Sequence, residues 1–497
     1  MDDNERACNL IVDARLPSCS LRLAIAFSVF GFLAGCAAGP DFKQPPALDV
    51  SGYTAEPLPS LTASSPTPFD EAQSFDAQGS VDAKWWHRLG STKLDALIEE
   101  SFRANPALAS AHATLRQAQE IYASQAGSTL YPRVGADLGA QRQRTNPNFL
   151  GQEGKPREFS LYNAGVRVGY QFDLAGGNRR SLEALAARSE YRRFEYDGAK
   201  LALAGNIVIT SITLARLNAQ IEAMEAIIHA QDEQVLIART RLRLGQAMPD
   251  EVSALQTQAE QTRAELPQLR KQFQQSEHLL AVLAGRAPGA TGLPTFTLEE
   301  FTLPAELPLT LPSELVHRRP DIQAAEALLH AANAEYGVAV AKMYPQVNIS
   351  ANLSSQALSM GALFGSGSAV WSLIGQLTQP LFDPGLPAEK RAALAAFDAA
   401  AANYQSVVLE SLRNVADILR AIEQDAHALV SLAAAETAAQ QSVESIRRQH
   451  QLGAVSYAQL LIVEQQEQQN RINLIAAQAQ RLVDSAALYQ ALGGGAT

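Results

Sequence analysis

The chain repeats itself. Asn105-Pro106 opens one copy and Arg319-Pro320 the other, and each pair leads into an alanine-rich stretch ending at Tyr-Pro-x-Val, at Tyr131-Pro132-Arg133-Val134 and at Tyr344-Pro345-Gln346-Val347. Further on, Phe172-Asp173 answers Phe382-Asp383, Leu244-Gly245 answers Leu452-Gly453, and Leu283-Ala284-Gly285 answers Leu492-Gly493-Gly494. The separation stays near 210 residues throughout. A repeat of this length fixes the architecture before any motif is weighed. Each copy reads as helix, strand, strand, very long helix, Gly turn, shorter helix. Proline at a first helical position is a start signal, so the Asn-Pro and Arg-Pro pairs need only a structural role.

Four segments alternate with period two. Val347, Ile349, Ala351 and Leu353 are apolar, and Asn348, Ser350, Asn352 and Ser354 between them are polar. Tyr162, Ala164, Val166, Val168, Tyr170 and Phe172 likewise oppose Asn163, Gly165, Arg167, Gly169 and Gln171. Val134, Ala136, Leu138 and Ala140 form a weaker third, and Trp371, Leu373, Gly375 and Leu377 a fourth. Such strands suit a membrane barrel around a watery lumen, or a soluble sheet with one face on a core. Four strands close no membrane barrel, and an open edge in lipid leaves backbone groups unpaired at several kcal/mol each. In a membrane, the chain must therefore oligomerise; two copies give eight strands and three give twelve.

Each very long helix spans about 65 residues, roughly 100 Å. The first carries a seam at Leu203, Ile207, Leu214, Leu217, Ile221, Met224, Ile228 and Val235, broken only by Thr210 and Gln231. A second stripe lies beside it at Val208, Ile212, Ala215, Ala219, Ala223, Ala226 and Ala230. The other long helix repeats the seam at Val408, Leu412, Val415, Leu419, Ile422, Ala426, Leu429 and Ala433. Two seams on one helix require a neighbour on each side, the arrangement of a wall rather than of a two-stranded coil.

The N-terminus has the parts of an export signal: Arg22, an apolar run over 23–33, and small residues at Ala34-Gly35. Leu33-Ala34-Gly35-Cys36 resembles the lipobox of bacterial lipoproteins, whose cysteine becomes the first mature residue and carries a diacylglycerol and an N-acyl chain. The leader is unusually long and acidic, with Asp2, Asp3, Glu5 and Asp13. Of the three cysteines, Cys8 and Cys19 fall in this leader, which rules out a disulfide framework in the mature chain. Beyond the leader no window of about twenty apolar residues is expected, so no transmembrane helix.

The net charge of −11 argues against a nucleic-acid partner. The eight histidines are scattered, without His-Glu-x-x-His spacing, and no metal site is expected. Residues 361–368 are rich in glycine and serine but lack a phosphate-loop lysine or Gly-x-Ser-x-Gly, and read as the exposed loop between the third and fourth strands. The stretch from about Thr145 to Glu158 would be its counterpart. No catalytic constellation is present; the chain is not expected to be an enzyme and no cofactor is implied beyond the acyl chains on Cys36.

Taken in order, these residues resemble the outer membrane factors of tripartite efflux pumps, the TolC-like lipoproteins of the OprM and NodT type, over nearly the whole mature length. Carrying the resemblance are Cys36-Ala37-Ala38-Gly39-Pro40-Asp41-Phe42, Trp85-Trp86 ahead of Leu94, Leu97 and Ile98, and Tyr170-Gln171-Phe172-Asp173-Leu174. Gln379-Pro380-Leu381-Phe382-Asp383 resembles the end of the fourth strand. Most specific is Leu311-Pro312-Ser313-Glu314-Leu315 leading into Arg318-Arg319-Pro320-Asp321-Ile322.

The resemblance implies a mixed α+β membrane protein: a homotrimer whose twelve-stranded β-barrel, four strands per chain, continues into a long periplasmic α-helical barrel. It divides the chain into a lipoprotein signal peptide (1–35), an N-terminal anchored extended segment (36–90) and a first repeat (91–285, strands about 131–145 and 159–174). An equatorial linker (286–312) and a second repeat (313–497, strands about 344–356 and 369–382) follow. Ala37 after the cysteine is similar to lipoproteins sorted to the outer membrane.

The implied function is an exit channel, conducting drugs or other toxic solutes received from an inner-membrane pump through a periplasmic adaptor. An exit duct for type I protein secretion, or a lipid-anchored adaptor or helical scaffold, are the alternatives; an adaptor should not repeat a strand pair, and a scaffold should lack amphipathic strands. Gly245, Asp250, Glu251, Gly453 and Tyr457 fall at the periplasmic tips where the family docks its adaptor and constricts its pore. Many drug-efflux members read Tyr-Leu-Thr-Leu-Leu-Asp-Ala-Gln-Arg there. This chain reads Tyr457-Ala458-Gln459-Leu460-Leu461-Ile462-Val463-Glu464-Gln465. Ile462 stands for the gate aspartate and Gln465 for the arginine, leaving Glu251, Ala458, Ile462 and Gln465 as the gate lining. Glu464 is a poor substitute, since two helical residues turn a side chain by roughly 200°.

Overall fold

The computed structural model describes residues 37–46, 52–76, 79, 81–146, 151 and 153–494. The expected signal peptide and Cys36 lie outside the described residues, as does much of the loop between the first two long strands. In chain order the elements are β1 (Ser74–Asp76), α1 (Thr92–Ala104), α2 (Pro106–Leu130), β2 (Arg133–Thr145), β3 (Arg157–Phe172), α3 (Gly177–Arg243) and α4 (Pro249–Leu283). Then come β4 (Glu306–Pro308), α5 (Pro312–Arg318), α6 (Pro320–Ala341), β5 (Gln346–Ala357), β6 (Ala369–Thr378), α7 (Gly385–Gln451) and α8 (Tyr457–Ala491). The two series match in length as well as order: α3 and α7 have 67 residues each, α4 and α8 have 35 each.

The chain divides into two compact units. Among the described residues, the first comprises 37–42, 122–185 and 331–397. Its centre is an antiparallel sheet of order β2-β3-β5-β6, so the two hairpins join through β3 and β5. The register aligns like with like across β2, β3 and β5 and over most of β6, where Val370 and Ile374 are the exceptions, opposite Ser354 and Ser350. One face carries the rows Val134, Val168, Ala351, Leu373 and Ala136, Val166, Leu353, Trp371, and then Phe172, Val347, Leu377. The other carries Gly135, Arg167, Asn352, Ser372 and Gln171, Asn348, Gln376. A slip of one residue at any pairing would mix these faces.

The fourth strand corrects the expected boundary. It stops at Thr378 rather than 382, because Pro380 has no N–H for a ladder, and Leu381 and Phe382 stand 95% and 90% exposed. The Phe-Asp pairs gain a physical reason. Asp173 accepts from the backbone N–H groups of Asn178 (3.0 Å) and Arg179 (2.8 Å) at the start of α3, and Asp383 from Gly385 (2.8 Å) at the start of α7. Each is a carboxylate on a helix N-terminus, where free N–H groups and the helix dipole favour it.

The second unit comprises 43–121, 186–330 and 398–497. The seams read from the sequence are its core: Ile207, Leu214 and Leu217 on α3 and Val415, Leu419 and Ile422 on α7 are buried, together with Leu280 of α4 and Leu482 and Leu488 of α8. The small-residue stripe is buried at Val208, Ile212, Ala215 and Ala223 and half-buried at Ala219, but exposed at Ala226 and Ala230, where no described residue covers it. One stretch of α3 is, against expectation, apolar enough by length and composition to cross a bilayer; 56% of it is buried in the protein. Its hydrophobicity is that of a helix packed on two sides.

The four shorter-helix and tip turns share one closure. Gly245, Gly285, Gly453 and Gly493 all have positive φ. In each, the following residue donates back across the turn, Gln246 to Arg241, Arg286 to Ala281, Ala454 to Gln449 and Gly494 to Tyr489, at 2.8–3.0 Å. Gly285 and Gly493 are constrained twice, since a Cβ would lie 2.5 Å from the Ala104 carbonyl oxygen and 2.7 Å from that of Arg318. At the same junctions the Asn-Pro and Arg-Pro pairs act structurally: Asn105 caps α2 and donates to the Leu283 carbonyl (2.9 Å), and Arg319 donates to the Ala491 carbonyl (2.9 Å). β1 pairs in parallel with β4, tying the N-terminal segment to the stretch after α4.

Candidate functional site

Two surfaces hold the residues singled out in the sequence: the sheet and the tips of the helical hairpins. On the sheet, the apolar face is open. Trp371 is 76% exposed, and Val134, Leu138, Leu353, Leu373 and Leu377 are also exposed. Among the described residues no element is packed over it. The apolar rows run from Phe172 to Tyr162, roughly 34 Å along a strand; at a tilt of about 40° this is roughly 26 Å of height, close to the ~25 Å apolar band of an outer-membrane barrel. Tyr170 and Phe172 meet edge to face at 5.0 Å at one end of the band and Tyr162 marks the other. Among the described residues, strands β2 and β6 have no partner on their outer sides.

At the tips, no described residue beyond their chain neighbours comes within 4 Å of where a Cβ on Gly245 or Gly453 would stand, so their positive φ alone explains them. Asp250 and Glu251 lie in the first turn of α4, where the dipole favours acids. Asp250 is exposed; Glu251 is partly buried and lies 3.6 Å from Arg241. Tyr457 starts α8 and packs with Leu461 on Val235, Ala238, Val252, Leu255 and Ala259. Its hydroxyl donates to Gln234 Oε1 (2.8 Å), and its ring meets that of His450 at 5.1 Å. Burial first, then the charges of Glu464 and Glu251, push its phenol well above the ordinary range.

Of the residues named for the gate, the structure brings only Glu251 to the cluster around Tyr457, itself named as a tip residue. Ile462, 68% exposed, and Gln465, also exposed, point away from it, and of Ala458 only the backbone is described. Sequence reasoning passed over the centre of the cluster. Glu464 is 7% exposed, accepts from Gln234 Nε2 (3.0 and 3.2 Å), and is bridged to Arg447 at 3.0 Å. It ties α8 to both α3 and α7. The signal was its spacing: 457, 460, 461 and 464 share one helical face. Hairpin α3–α4 is stapled differently, by Arg263 to Asp232 and Arg270 to Glu225, both at 2.7 Å. Among the described residues no cluster could hold a metal ion.

A family model described as outer membrane efflux protein matches residues 97–286 and 311–494. The chain is 29% identical over 483 residues to the toluene efflux pump outer membrane protein TtgC of Pseudomonas putida, covering 95% of each. It is 29% identical over 458 residues to the pyoverdine export outer membrane protein OpmQ of Pseudomonas aeruginosa, covering 90% of this chain and 94% of that one. Among solved structures it is similar to the outer-membrane channel OprN, with a TM-score of 0.83 at 25% identity, over 93% of this chain and 99% of that one. A two-faced sheet, paired long-helix hairpins and a match over both repeats lead to one conclusion: the chain belongs to the outer membrane efflux protein family, a family of outer-membrane transport channels rather than enzymes.

Proposed function

We propose that three copies of this chain form the exit duct of a tripartite efflux pump, each contributing four strands to a twelve-stranded barrel. The observation that carries this is the aligned register, apolar rows on one face and polar rows on the other, ending in two unpaired edges that lipid does not tolerate. Exposed Leu381, Phe382, Ala226 and Ala230 give neighbouring copies further surface to cover. Solute, a drug or another toxic small molecule, passes from an inner-membrane transporter and a periplasmic adaptor along the polar face. The toluene and pyoverdine relatives differ widely in cargo, as suits a wet duct that leaves selection to the pump.

The anchor in this reading is acylated Cys36 in the outer membrane. In support, the residues just after it are held firmly. Ala38 N–H donates to Ala175 (2.7 Å), and Arg180, almost fully buried, binds Asp41 (2.7 Å), Glu183 (2.7 Å) and the carbonyls of Ala38 and Gly39. Gly39 and Gly337 meet so closely that a Cβ on Gly39 would lie 2.7 Å from the Gly337 Cα.

The tips serve as adaptor contact and as gate, the latter held by the Glu464 cluster with Glu251 at its edge. Alanine at Glu464 should raise entry of a bulky antibiotic through the closed duct by about tenfold, because it removes the buried acceptor that ties α8 to Gln234 of α3 and Arg447 of α7, and alanine at Glu251 should raise it only about twofold, because that pair is longer and more exposed. Antibiotic susceptibility of cells lacking the cognate pump reads this. Unchanged entry in both variants would remove the gate from these residues.

A further inference from the structure

We propose that the lipid-facing side of the first hairpin ends in a binding site for the phosphate groups of lipopolysaccharide, built from Arg142 and Arg144 with Ser160 beside them. The inference rests on the barrel reading above. On β2 the even-numbered residues Val134, Ala136, Leu138 and Ala140 lie on the apolar face, and the same face continues into Arg142 and Arg144. On β3 it passes from Tyr162 to Ser160 and Glu158, with Arg142 opposite Ser160 and Arg144 opposite Glu158. The apolar band thus gives way, within one row, to two guanidinium groups that are 77% and 67% exposed.

The direction is set by connectivity. The helices join the other ends of β2 and β3, so with the helices in the periplasm this rim meets the outer leaflet. Its charge is unbalanced. Glu158 is shared between the two arginines, at 3.4 Å from Arg142 and 3.8 Å from Arg144, distances longer than a good charge-assisted hydrogen bond.

The neighbouring strand of a sister copy does not correct the imbalance. A sister copy closing the barrel would set its β6 edge beside β2, and from Met343 to Phe382 the sequence contains no charged side chain. Whatever the register there, the arginines gain no acid. Guanidinium groups paired with phosphate in bidentate fashion, beside a hydroxyl and above Tyr162 and Ala140 for acyl chains, are the chemistry that takes a phosphorylated glycolipid.

The test titrates full-length protein in detergent with lipid A, read by native mass spectrometry. Wild type should bind at least tenfold more tightly than the Arg142→Gln/Arg144→Gln variant, and Glu158→Gln should bind severalfold more tightly than wild type. Arg142→Lys/Arg144→Lys should keep most of the affinity. Lipid A stripped of its phosphates should bind wild type no better than the double glutamine variant. Equal affinity across the variants, or indifference to the phosphates, overturns the proposal. So does complete displacement by millimolar inorganic phosphate, which would mark a free-anion site. Protein that inserts normally yet ignores lipid A sinks this inference alone, whereas a chain soluble without detergent sinks the barrel reading beneath it.

Discussion

Replacing Arg481 with methionine is expected to destabilise the protein by about 3–5 kcal/mol. Arg481, on α8, and Asp70, in the N-terminal segment, form an ion pair at 3.2 Å with side chains 0% exposed. Burial pushes the Asp70 carboxyl up and the Arg481 guanidinium down, so both charges are held against a desolvation cost. What offsets that cost is a hydrogen-bonded shell. Arg481 also donates to Gln73 Oε1 (2.7 Å), and Gln73 in turn donates to the Pro304 carbonyl (2.8 Å) and Ser485 Oγ (3.0 Å). Loss of the arginine leaves the buried Asp70 carboxylate without its counter-charge, with Ser65 Oγ still donating to it, and the buried Gln73 Oε1 without its donor. Thermal unfolding in detergent reads the cost, and protease cleavage within 52–76 should rise with it because the clasp on that segment is gone. Asp70→Leu combined with Arg481→Met should recover part of the loss, since no charge is then stranded. A single variant as stable and as protease-resistant as wild type would show that the pair is not a clasp.

A second large effect lies one helical turn away and depends on pH. Asp484 is pushed up to about 7, by burial first and then by its hydrogen bond with the Asp425 carboxyl of α7, while Gln480 and Arg481 pull the other way. In the unfolded chain an aspartate titrates near 3.9. Since the folded value is the higher one, the folded state retains a proton that the unfolded state has lost between about pH 4 and pH 7. Stability from this group therefore falls as pH rises through that window, by about 4 kcal/mol at most, and levels off above it. Most structural carboxylates behave in the opposite sense. Asp484→Asn, neutral at every pH, should flatten the fall in melting temperature between pH 5 and pH 8. The same slope in wild type and variant would assign the pH dependence elsewhere.

Periodicity made much of this fold legible. The alternation from Tyr162 to Phe172 and from Val347 to Leu353 gave faces that the register aligns, and the seams on α3 and α7 are the buried core. Local rules also reached the Gly turns, because a positive φ at a helix end has a residue-type signature. What escaped is pairing between distant segments. Asp70 and Arg481 are 411 residues apart, and nothing near either one marks the other as its partner. Glu464 does not share a face with Ile462, and that same geometry turns it inward, where it joins three helices. Asp173 and Asp383 read as strand ends, but their carboxylates belong to the helices that follow. In the sequence the fourth strand reads too long, because apolar Leu381 and Phe382 continue its pattern past Pro380.

The central claim is that the two unpaired sheet edges are completed by sister subunits. After Cys36 the chain has no cysteine, so engineered thiols are free of background. Cysteines placed along β2, at Ala136 or Leu138, and along β6, at Trp371 or Leu373, should form disulfides between subunits on oxidation in outer-membrane vesicles. The account predicts a ladder of crosslinked species that ends at three chains. Crosslinks confined to single chains, or a ladder continuing past three, would contradict it.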